Sequence, residues 1–305
     1  MLPSELQPTE LYLPNIDSKT IVIITKSSLR HQRFALRMLE SFDSRVIKWY
    51  VIEESKSLRK RGVTSIMKLY ERIKNIDYSF KSVILLFHKG YSLYNQRKAN
   101  RDFIRWNNTA ENYLFKEEVA RLRKKISAKP TVILNPNSID FYKEIEQLRP
   151  YFFISLGGPL FSREILKHVR GCSINQHAGH SPDFKGDSTI LWALYHRESD
   201  KISSTVHITA EGADTGGILR RVGVCSLEGE NPAIYFNRVV ALGTELIIEV
   251  VEDVFQNKPI YYHPQPKFTG KTKLSFHMER KVRYHLWLDY KERVIDYLLA
   301  KQREF

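Results

Sequence analysis

Three side chains with complementary chemistry stand at fixed spacing in the second half of the chain: Asn175, His177 and Asp214. Asn175 and His177 are separated by one residue in the run Ser173–Pro182, and Asp214 follows 39 residues after Asn175. An amide and an imidazolium can both donate hydrogen bonds to an oxyanion, while a carboxylate can keep the imidazole charged and accept a proton. The set is suited to a reaction in which an amine attacks a carbonyl carbon.

Other interpretations apply to the residues around this set. A histidine without partners is more often structural, and this is the role expected for His180 and His207. The run that begins at Asp214, Asp-Thr-Gly-Gly, is also typical of a tight turn, which would present the carboxylate. A metal site is not expected, because His177 and His180 have no cysteine or carboxylate at the spacing of zinc ligands.

Apolar runs and helical spacing indicate the elements that must position these residues. The order strand, loop, helix, strand predicts an α/β fold with a doubly wound, mostly parallel sheet. Strands are predicted at six apolar runs: Ile21–Ile24, Val46–Ile52, Thr131–Leu134, Tyr151–Ser155, Cys172–Asn175 and Ser204–Ile208. Helical spacing is expected over Phe34–Phe42 and Ile139–Leu148, and a long amphipathic helix is expected over 232–256.

The organisation of the chain is predicted to centre on one large domain. We expect an N-terminal extension at 1–18, a catalytic domain at 19–260, and a short basic and aromatic C-terminal appendage at 261–305. Residues 90–129, rich in Asn, Arg, Lys and aromatics, are predicted to form a helical insertion. Such a mixture can bind nucleic acid, but it is more often a surface helix whose aromatics face the core, so nucleic acid is not expected as a partner.

Composition excludes several classes of protein. The 305 residues are 42% hydrophobic and 27% charged, as in an ordinary globular protein, and the two cysteines cannot form a disulfide framework. No run approaches the ~20 apolar residues of a membrane span, and the first residues lack the layout of a secretory signal, so a cytoplasmic location is expected. The net charge of +14 favours an anionic partner, although a generally basic surface gives the same number.

Four further short motifs occur near the catalytic set: Lys185-Gly186, Trp192-Ala193, Thr205-Val-His207 and Asp214-Thr-Gly-Gly-Ile218. Together with Asn-x-His they resemble the 10-formyltetrahydrofolate-dependent formyltransferases, most clearly from about residue 131 to 270. That family includes enzymes acting on glycinamide ribonucleotide, methionyl-tRNA and amino sugars. The resemblance implies a parallel-sheet catalytic domain, 10-formyltetrahydrofolate as the formyl donor, and Asn175, His177 and Asp214 as the catalytic residues.

The resemblance also places two ligands on loops that follow strands. The folate is expected against two loops, one of Leu156, Gly157, Gly158, Pro159, Leu160 and Phe161 and one of Glu211, Gly212 and Ala213. A plain turn is the alternative for the first of these loops. The substrate is expected at a loop that opens a helix and could bind phosphate through its N–H groups, at Lys26, Ser27, Arg30 and His31.

Two departures from the family pattern limit which amine could accept the formyl group. The loop at Lys26–His31 has no glycine, which argues against the ribonucleotide of the purine pathway, and the roughly fifty residues after 256 are too few for the further C-terminal barrel of the tRNA-acting members. We expect a small anionic amine, foremost a nucleotide-linked amino sugar. A hydroxylated amino acid, another small amine, a catalytically silent folate-binding protein, and a homodimer all stay open.

Overall fold

The computed structural model describes residues 7–53, 80–224, 231–266 and 282–291. Nine strands are present in these ranges: β1 Thr9–Glu10, β2 Ile21–Thr25, β3 Val46–Ile52, β4 Thr131–Ile133, β5 Phe152–Leu156, β6 Cys172–His177, β7 Ser203–Ile208, β8 Ile218–Gly223 and β9 Tyr261–Tyr262. The helices are α1 Leu29–Phe42, α2 Phe80–Lys125, α3 Ile139–Leu148, α4 Arg163–Leu166, α5 Thr189–Tyr195, α6 Pro232–Phe255 and α7 at 282–291.

Seven strands form one sheet in the order β4-β3-β2-β5-β6-β7-β8. The pairs from β4 to β6 are parallel, whereas β7 is antiparallel to both β6 and β8. The predicted α/β fold with a mostly parallel sheet is therefore confirmed. The antiparallel hairpin β7–β8 is what returns the chain to the end of β6, where the Asn-x-His motif lies.

Helices cover both faces of this sheet, which explains why its central strands are apolar without interruption. In β2, Ile21 and Ile23 join a core cluster with α1, α2 and α6, whereas Val22 and Ile24 join a second cluster with α3 and α4 on the other face. Successive side chains of a strand point to opposite faces of the sheet, and every residue of β2 is buried. The strand is therefore covered on both faces.

The long helix α2 supplies aromatic side chains to the core, as the sequence predicts for residues 90–129. Phe103, Trp106 and Phe115 are buried, while Tyr113 is 51% exposed. α2 packs against α1 and α6, and its aromatics share a cluster with Trp287 of α7. No described helix combines the length and the hydropathy needed to cross a membrane.

The segment that precedes β2 packs against the domain rather than extending away from it. Thr9–Glu10 pairs antiparallel with Tyr261–Tyr262, and the backbone N–H of Leu11 donates to the carbonyl of Ile260 at 2.7 Å. Leu11, Leu13 and Ile16 pack against the main core cluster. Most of the predicted appendage at 261–305 lies outside the described residues.

The turn that carries Asp214 into β8 requires glycine at position 216. A Cβ atom on Gly216 would lie 1.8 Å from the backbone oxygen of Ile208, which cannot move aside like a side chain. Gly216→Ala should therefore lower the free energy of unfolding by roughly 2–4 kcal/mol in urea denaturation.

Gly223→Ala, at the far end of β8, is the matched control. A Cβ atom on Gly223 would lie 3.9 Å from its nearest neighbour, so the stability of this variant should stay within about 0.5 kcal/mol of wild type. Equal stability of the two variants would contradict this account.

Candidate active site

The catalytic candidates meet where β6 ends. Asn175 and His177 are two residues apart on β6 and thus share one face of the strand. His207 lies directly opposite Asn175 in the register of β6 and β7. Asp214 follows in the β7–β8 connection, where its φ of 51° places it in the left-handed region that non-glycine residues rarely adopt. An unfavourable backbone conformation at this position is typical of a residue held in place for function.

The carboxylate of Asp214 is the common partner of the other three groups. Its Oδ2 atom lies 3.3 Å from Nδ1 of His177 and accepts a hydrogen bond from the backbone N–H of Gly186 at 2.7 Å. Its Oδ1 atom lies 3.2 Å from Nε2 of His207 and 3.4 Å from Nδ2 of Asn175. The structure thus brings together the predicted set Asn175, His177 and Asp214.

These neighbours keep the carboxylate ionised although it is largely buried. Burial by itself raises the pKa of Asp214, but the charge of His177, the hydrogen bond and charge of His207, and the Gly186 N–H outweigh it. The resulting pKa of Asp214 is below its usual value. The side chain is therefore an ionised hydrogen-bond acceptor at neutral pH.

His177 is held by hydrogen-bond acceptors at both ring nitrogens. Nε2 lies 2.9 Å from the backbone oxygen of Phe184, while Nδ1 faces Asp214. Only a doubly protonated ring donates at both positions. From sequence, His177 itself is predicted to donate to an oxyanion, but in this arrangement both ring nitrogens face protein oxygens. A direct contact would require the hydrogen bond to Phe184 to give way.

The amide of Asn175 has a defined orientation. Its Oδ1 atom accepts a hydrogen bond from the Ser155 hydroxyl at 2.8 Å, so Nδ2 must point the other way, 3.1 Å from Nε2 of His207. Both Asn175 and His177 line the cavity, but Asn175 is half-buried whereas His177 is buried. Of the two predicted oxyanion donors, Asn175 is the more exposed.

His207, for which a structural role is predicted from sequence, lies beside the catalytic candidates and lines the cavity. Its Nδ1 atom lies 2.8 Å from the oxygen of Ile208, which leaves Nε2 facing Asp214 and Asn175. Recognising this from sequence required the strand register, because only the antiparallel pairing puts His207 opposite Asn175. His180 instead contacts Ser203 at 3.1 Å and does not line the cavity.

A cavity of about 970 Å³ opens in front of this cluster. Most of the loop residues predicted to bind ligands line it: Lys26, Arg30, His31, Leu156, Gly157, Gly158, Pro159, Leu160, Phe161, Gly212 and Ala213. Ser27 and Glu211 do not line it, contrary to prediction. Ser27 is exposed and its carbonyl accepts from Gln32, while the exposed Glu211 faces Arg163 at 3.8 Å.

One side chain, Asn137, contacts both ends of the Leu160–Ser162 stretch in the first loop that is predicted to bind folate. Nδ2 of Asn137 donates to the backbone oxygen of Leu160 at 2.8 Å, and its Oδ1 accepts from the N–H of Ser162 at 2.8 Å. Gly157 has a φ of 68° and lies against the ring of His31. These contacts fix the backbone of the loop where it lines the cavity.

The predicted phosphate-binding loop has a different environment from the one expected. The guanidinium of Arg30 forms an ion pair with the buried Glu111 and lies 5.0 Å from the ring centroid of Phe236. His31 is buried, and burial together with the charges of Arg30 and Lys26 lowers its pKa well below the usual value. Neither side chain is thus a readily available anion partner, and substrate binding at this loop stays a prediction.

No group of three His, Cys, Asp or Glu side chains capable of holding a metal ion occurs in the described ranges. The chemistry that can be argued from this site is that of its amide, imidazoles and carboxylate.

The lowered pKa of Asp214 makes a prediction about stability in acid. The folded protein retains this charge at pH values where the unfolded chain, with an aspartate pKa of about 3.9, is already protonated. The ionised Asp214 therefore stabilises the folded protein above that pH, and this stabilisation is lost as the pH falls below it. Urea unfolding of wild type should therefore show stability decreasing more steeply between about pH 5 and pH 3 than in Asp214→Asn. The exposed Asp200→Asn should keep the wild-type slope. An unchanged slope in Asp214→Asn would contradict the assignment.

The segment that contains this site is similar to a known protein family. The formyl transferase family matches residues 117–251. A methionyl-tRNA formyltransferase of Thermodesulfovibrio yellowstonii is 33% identical over 138 residues, which are 42% of this chain and 44% of that protein. The chain thus spans less than half the length of this curated relative.

Solved structures were also found to be similar. A sugar N-formyltransferase from Shewanella sp. FDAARGOS_354 has a TM-score of 0.47 at 16% identity, covering 83% of this chain and 76% of the other. Phosphoribosylglycinamide formyltransferase from Streptococcus pneumoniae TIGR4 has a TM-score of 0.47 at 14% identity, covering 78% of this chain and 99% of the other. The matched segment 117–251 contains Asn175, His177, His207 and Asp214, so all four side chains lie in the part of the chain that is similar to the formyl transferase family.

Proposed function

We propose that the protein is an N-formyltransferase that moves a formyl group from 10-formyltetrahydrofolate to the amine of a small anionic substrate. The observation that carries the proposal is the contact of Asp214 with Asn175, His177 and His207 at the mouth of a large cavity, within a segment of the formyl transferase family. The family match covers residues 117–251. The acceptor is therefore inferred from the residues that line the cavity and from the net charge of the chain.

The reaction requires one bond to form, one to break and one proton to move. The amine bonds to the formyl carbon, the bond from that carbon to the donor nitrogen breaks, and a proton passes from the amine to the released nitrogen. Asn175 is the donor available to the developing oxyanion, because its amide is fixed by Ser155 and reaches the cavity. Asp214, ionised and facing the same cavity, is the group that can accept the amine proton directly or through water.

His177 and His207 support this carboxylate from two sides. Each ring contacts a different oxygen of Asp214, and each is anchored through its other nitrogen to a backbone oxygen. Removing either ring would leave a buried charge with fewer partners, which raises its pKa and loosens its orientation. The imidazoles therefore act on the reaction mainly by holding Asp214 charged and aligned.

The cavity fits a folate as formyl donor. A reduced pterin has a flat ring with donors and acceptors along its edge, and the loop Gly157–Phe161 presents backbone groups to one side of the cavity. Thr209 also lines the cavity, and its buried hydroxyl has no hydrogen-bond partner among the described residues. A ligand with polar edges would satisfy that hydroxyl.

The acceptor we favour is an amino sugar attached to a nucleotide, because its phosphates suit a protein with a net charge of +14. Methionyl-tRNA is the second candidate, and the observation that favours it is the similarity to methionyl-tRNA formyltransferases. A hydroxylated amino acid or another small amine would use the same catalytic residues. A screen of formyl transfer to these four classes of amine decides between them, and transfer to none would indicate a silent folate-binding protein.

The catalytic assignment predicts large losses of turnover at three positions. Asn175→Ala, His177→Ala and Asp214→Ala should each lower turnover by roughly 10²-fold or more, because each removes a donor, a support or the acceptor of the proton. Circular dichroism would verify that each variant is folded. His168→Ala is the control, since His168 packs beside Tyr142 and does not line the cavity, and it should keep near wild-type turnover. Turnover of Asn175→Ala within about threefold of wild type would refute the assignment.

The donor assignment predicts that 5-formyltetrahydrofolate, a stable analogue, raises the melting temperature, because it binds only the folded protein. Asn137→Ala should reduce this increase, since it removes both hydrogen bonds that hold the loop at Leu160 and Ser162. The exposed Asn112→Ala is the matched control and should respond like wild type. No stabilisation of the wild-type protein at millimolar ligand would count against folate as the donor.

A further inference from the structure

Arg283 is a cationic side chain of the cavity for which the described residues supply no acidic partner. It lies on α7 and lines the cavity together with residues of α2 and α6. Its Nη1 atom donates to Oδ1 of Asn100 at 2.6 Å, while its Nε atom is buried and has no hydrogen-bond partner among the residues that the structure describes. Within the described parts of the chain, Arg283 takes part in no ion pair. A guanidinium is charged at any ordinary pH, so the described residues leave this charge without a counter-ion.

The other arginine of the cavity provides a contrast. The guanidinium of Arg30 is neutralised by Glu111, which is itself bound by the amide of Asn107 at 2.8 Å. Burial lowers the pKa of both arginines, but for Arg30 the charge of Glu111 and its hydrogen bond oppose that effect, whereas for Arg283 no described residue does. A partly buried guanidinium without a counter-ion among the described residues would be stabilised by an anionic ligand.

We propose that Arg283 binds an anionic oxygen group, a phosphoryl or a carboxylate, of a ligand that occupies the catalytic cavity. The Nε and Nη2 donors form one edge of the guanidinium, and Asn100 engages the remaining nitrogen Nη1. Two oxygens of one phosphoryl or carboxylate group match the spacing of such an edge.

This inference rests on the proposed function for the choice of ligand. A nucleotide-linked amino sugar carries phosphoryl groups, and a folate carries the carboxylates of its glutamate. Both would enter the cavity that Arg283 lines. The shared chemistry is an oxyanion that accepts two hydrogen bonds, and the two sources are separated by the probes used below.

Four variants test the role of the charge. Arg283→Met removes the charge and keeps an apolar stem, and Arg283→Lys keeps the charge without the paired donors. Asn100→Asp places a carboxylate where Oδ1 now accepts from Nη1, which supplies an internal counter-ion. Lys98→Met is the matched control. Lys98 contacts the same helix α7, over the ring of Trp287 at 5.4 Å, but does not line the cavity.

Binding is measured by calorimetry with uridine 5′-diphosphate, and with folic acid against pteroic acid, which lacks the glutamate. Arg283→Met should weaken one of these interactions on the order of tenfold or more, and Arg283→Lys by less. Asn100→Asp should weaken the same interaction while its melting temperature equals or exceeds that of wild type. Lys98→Met should bind both probes like wild type.

The outcomes assign the anion or overturn the proposal. Weaker binding of uridine 5′-diphosphate identifies a phosphoryl group, and loss of the preference for folic acid over pteroic acid identifies the glutamate carboxylate. The proposal is overturned if Arg283→Met binds all probes like wild type. It is also overturned if Asn100→Asp does so while Arg283→Met does not, because Arg283 would then act only through packing.

Formyl transfer is assayed separately, so that the two proposals can fail independently. If wild type transfers formyl while Arg283→Met binds like wild type, only the role of Arg283 is wrong. If binding depends on Arg283 but no amine is formylated, the proposed function is wrong and the anion site stands.

Discussion

The site depends on keeping a negative charge on Asp214 in a largely buried position. Transfer of a carboxylate out of water is costly, and without compensation the group would bind a proton instead. Here two imidazoles, one amide and one backbone N–H face its two oxygens, so the ionised form is the stable one. The left-handed backbone at Asp214 is a further cost that these contacts offset.

The need to bring His207 and Asp214 to the end of β6 is consistent with the change from parallel to antiparallel pairing at β7. Strands β2 to β6 run parallel, and their carboxyl ends form the edge at which a ligand can bind. A further parallel strand would place its own carboxyl end at this edge, but the chain would then leave through another helix. The antiparallel β7 instead sets His207 beside Asn175, and the tight turn through Gly216 then returns Asp214 to the same point. Four functional groups from two strands and one turn therefore meet within hydrogen-bond distance.

Local sequence patterns are sufficient for much of this arrangement. The apolar runs predict the parallel strands because their side chains are buried on both faces, and Asn175, His177 and Asp214 can be recognised from residue type and order. His207 could not be assigned, because its place depends on a register between β6 and β7 that no local pattern contains. The same limit applies to Arg30, whose partner Glu111 lies 81 residues away on another helix. Glu211 adjoins two cavity residues, yet its side chain points to Arg163, a direction that spacing along a loop does not determine.

Positive charge acts both over the whole surface of this protein and at individual side chains inside the cavity. The sequence alone does not distinguish these two effects. The net charge of +14 spreads over a surface where salt screens each interaction beyond about 8 Å, so it favours encounter with anions in general. Discrimination must come from charges inside the cavity, where screening is weaker. Among the arginines there, the ion pair of Arg30 with Glu111 makes that position nearly neutral, whereas Arg283 retains its full charge beside a neutral amide. If the cavity binds an anion as proposed, its preference for one anion over another would depend less on the number of basic residues in the chain than on which of them have no carboxylate partner among the described residues.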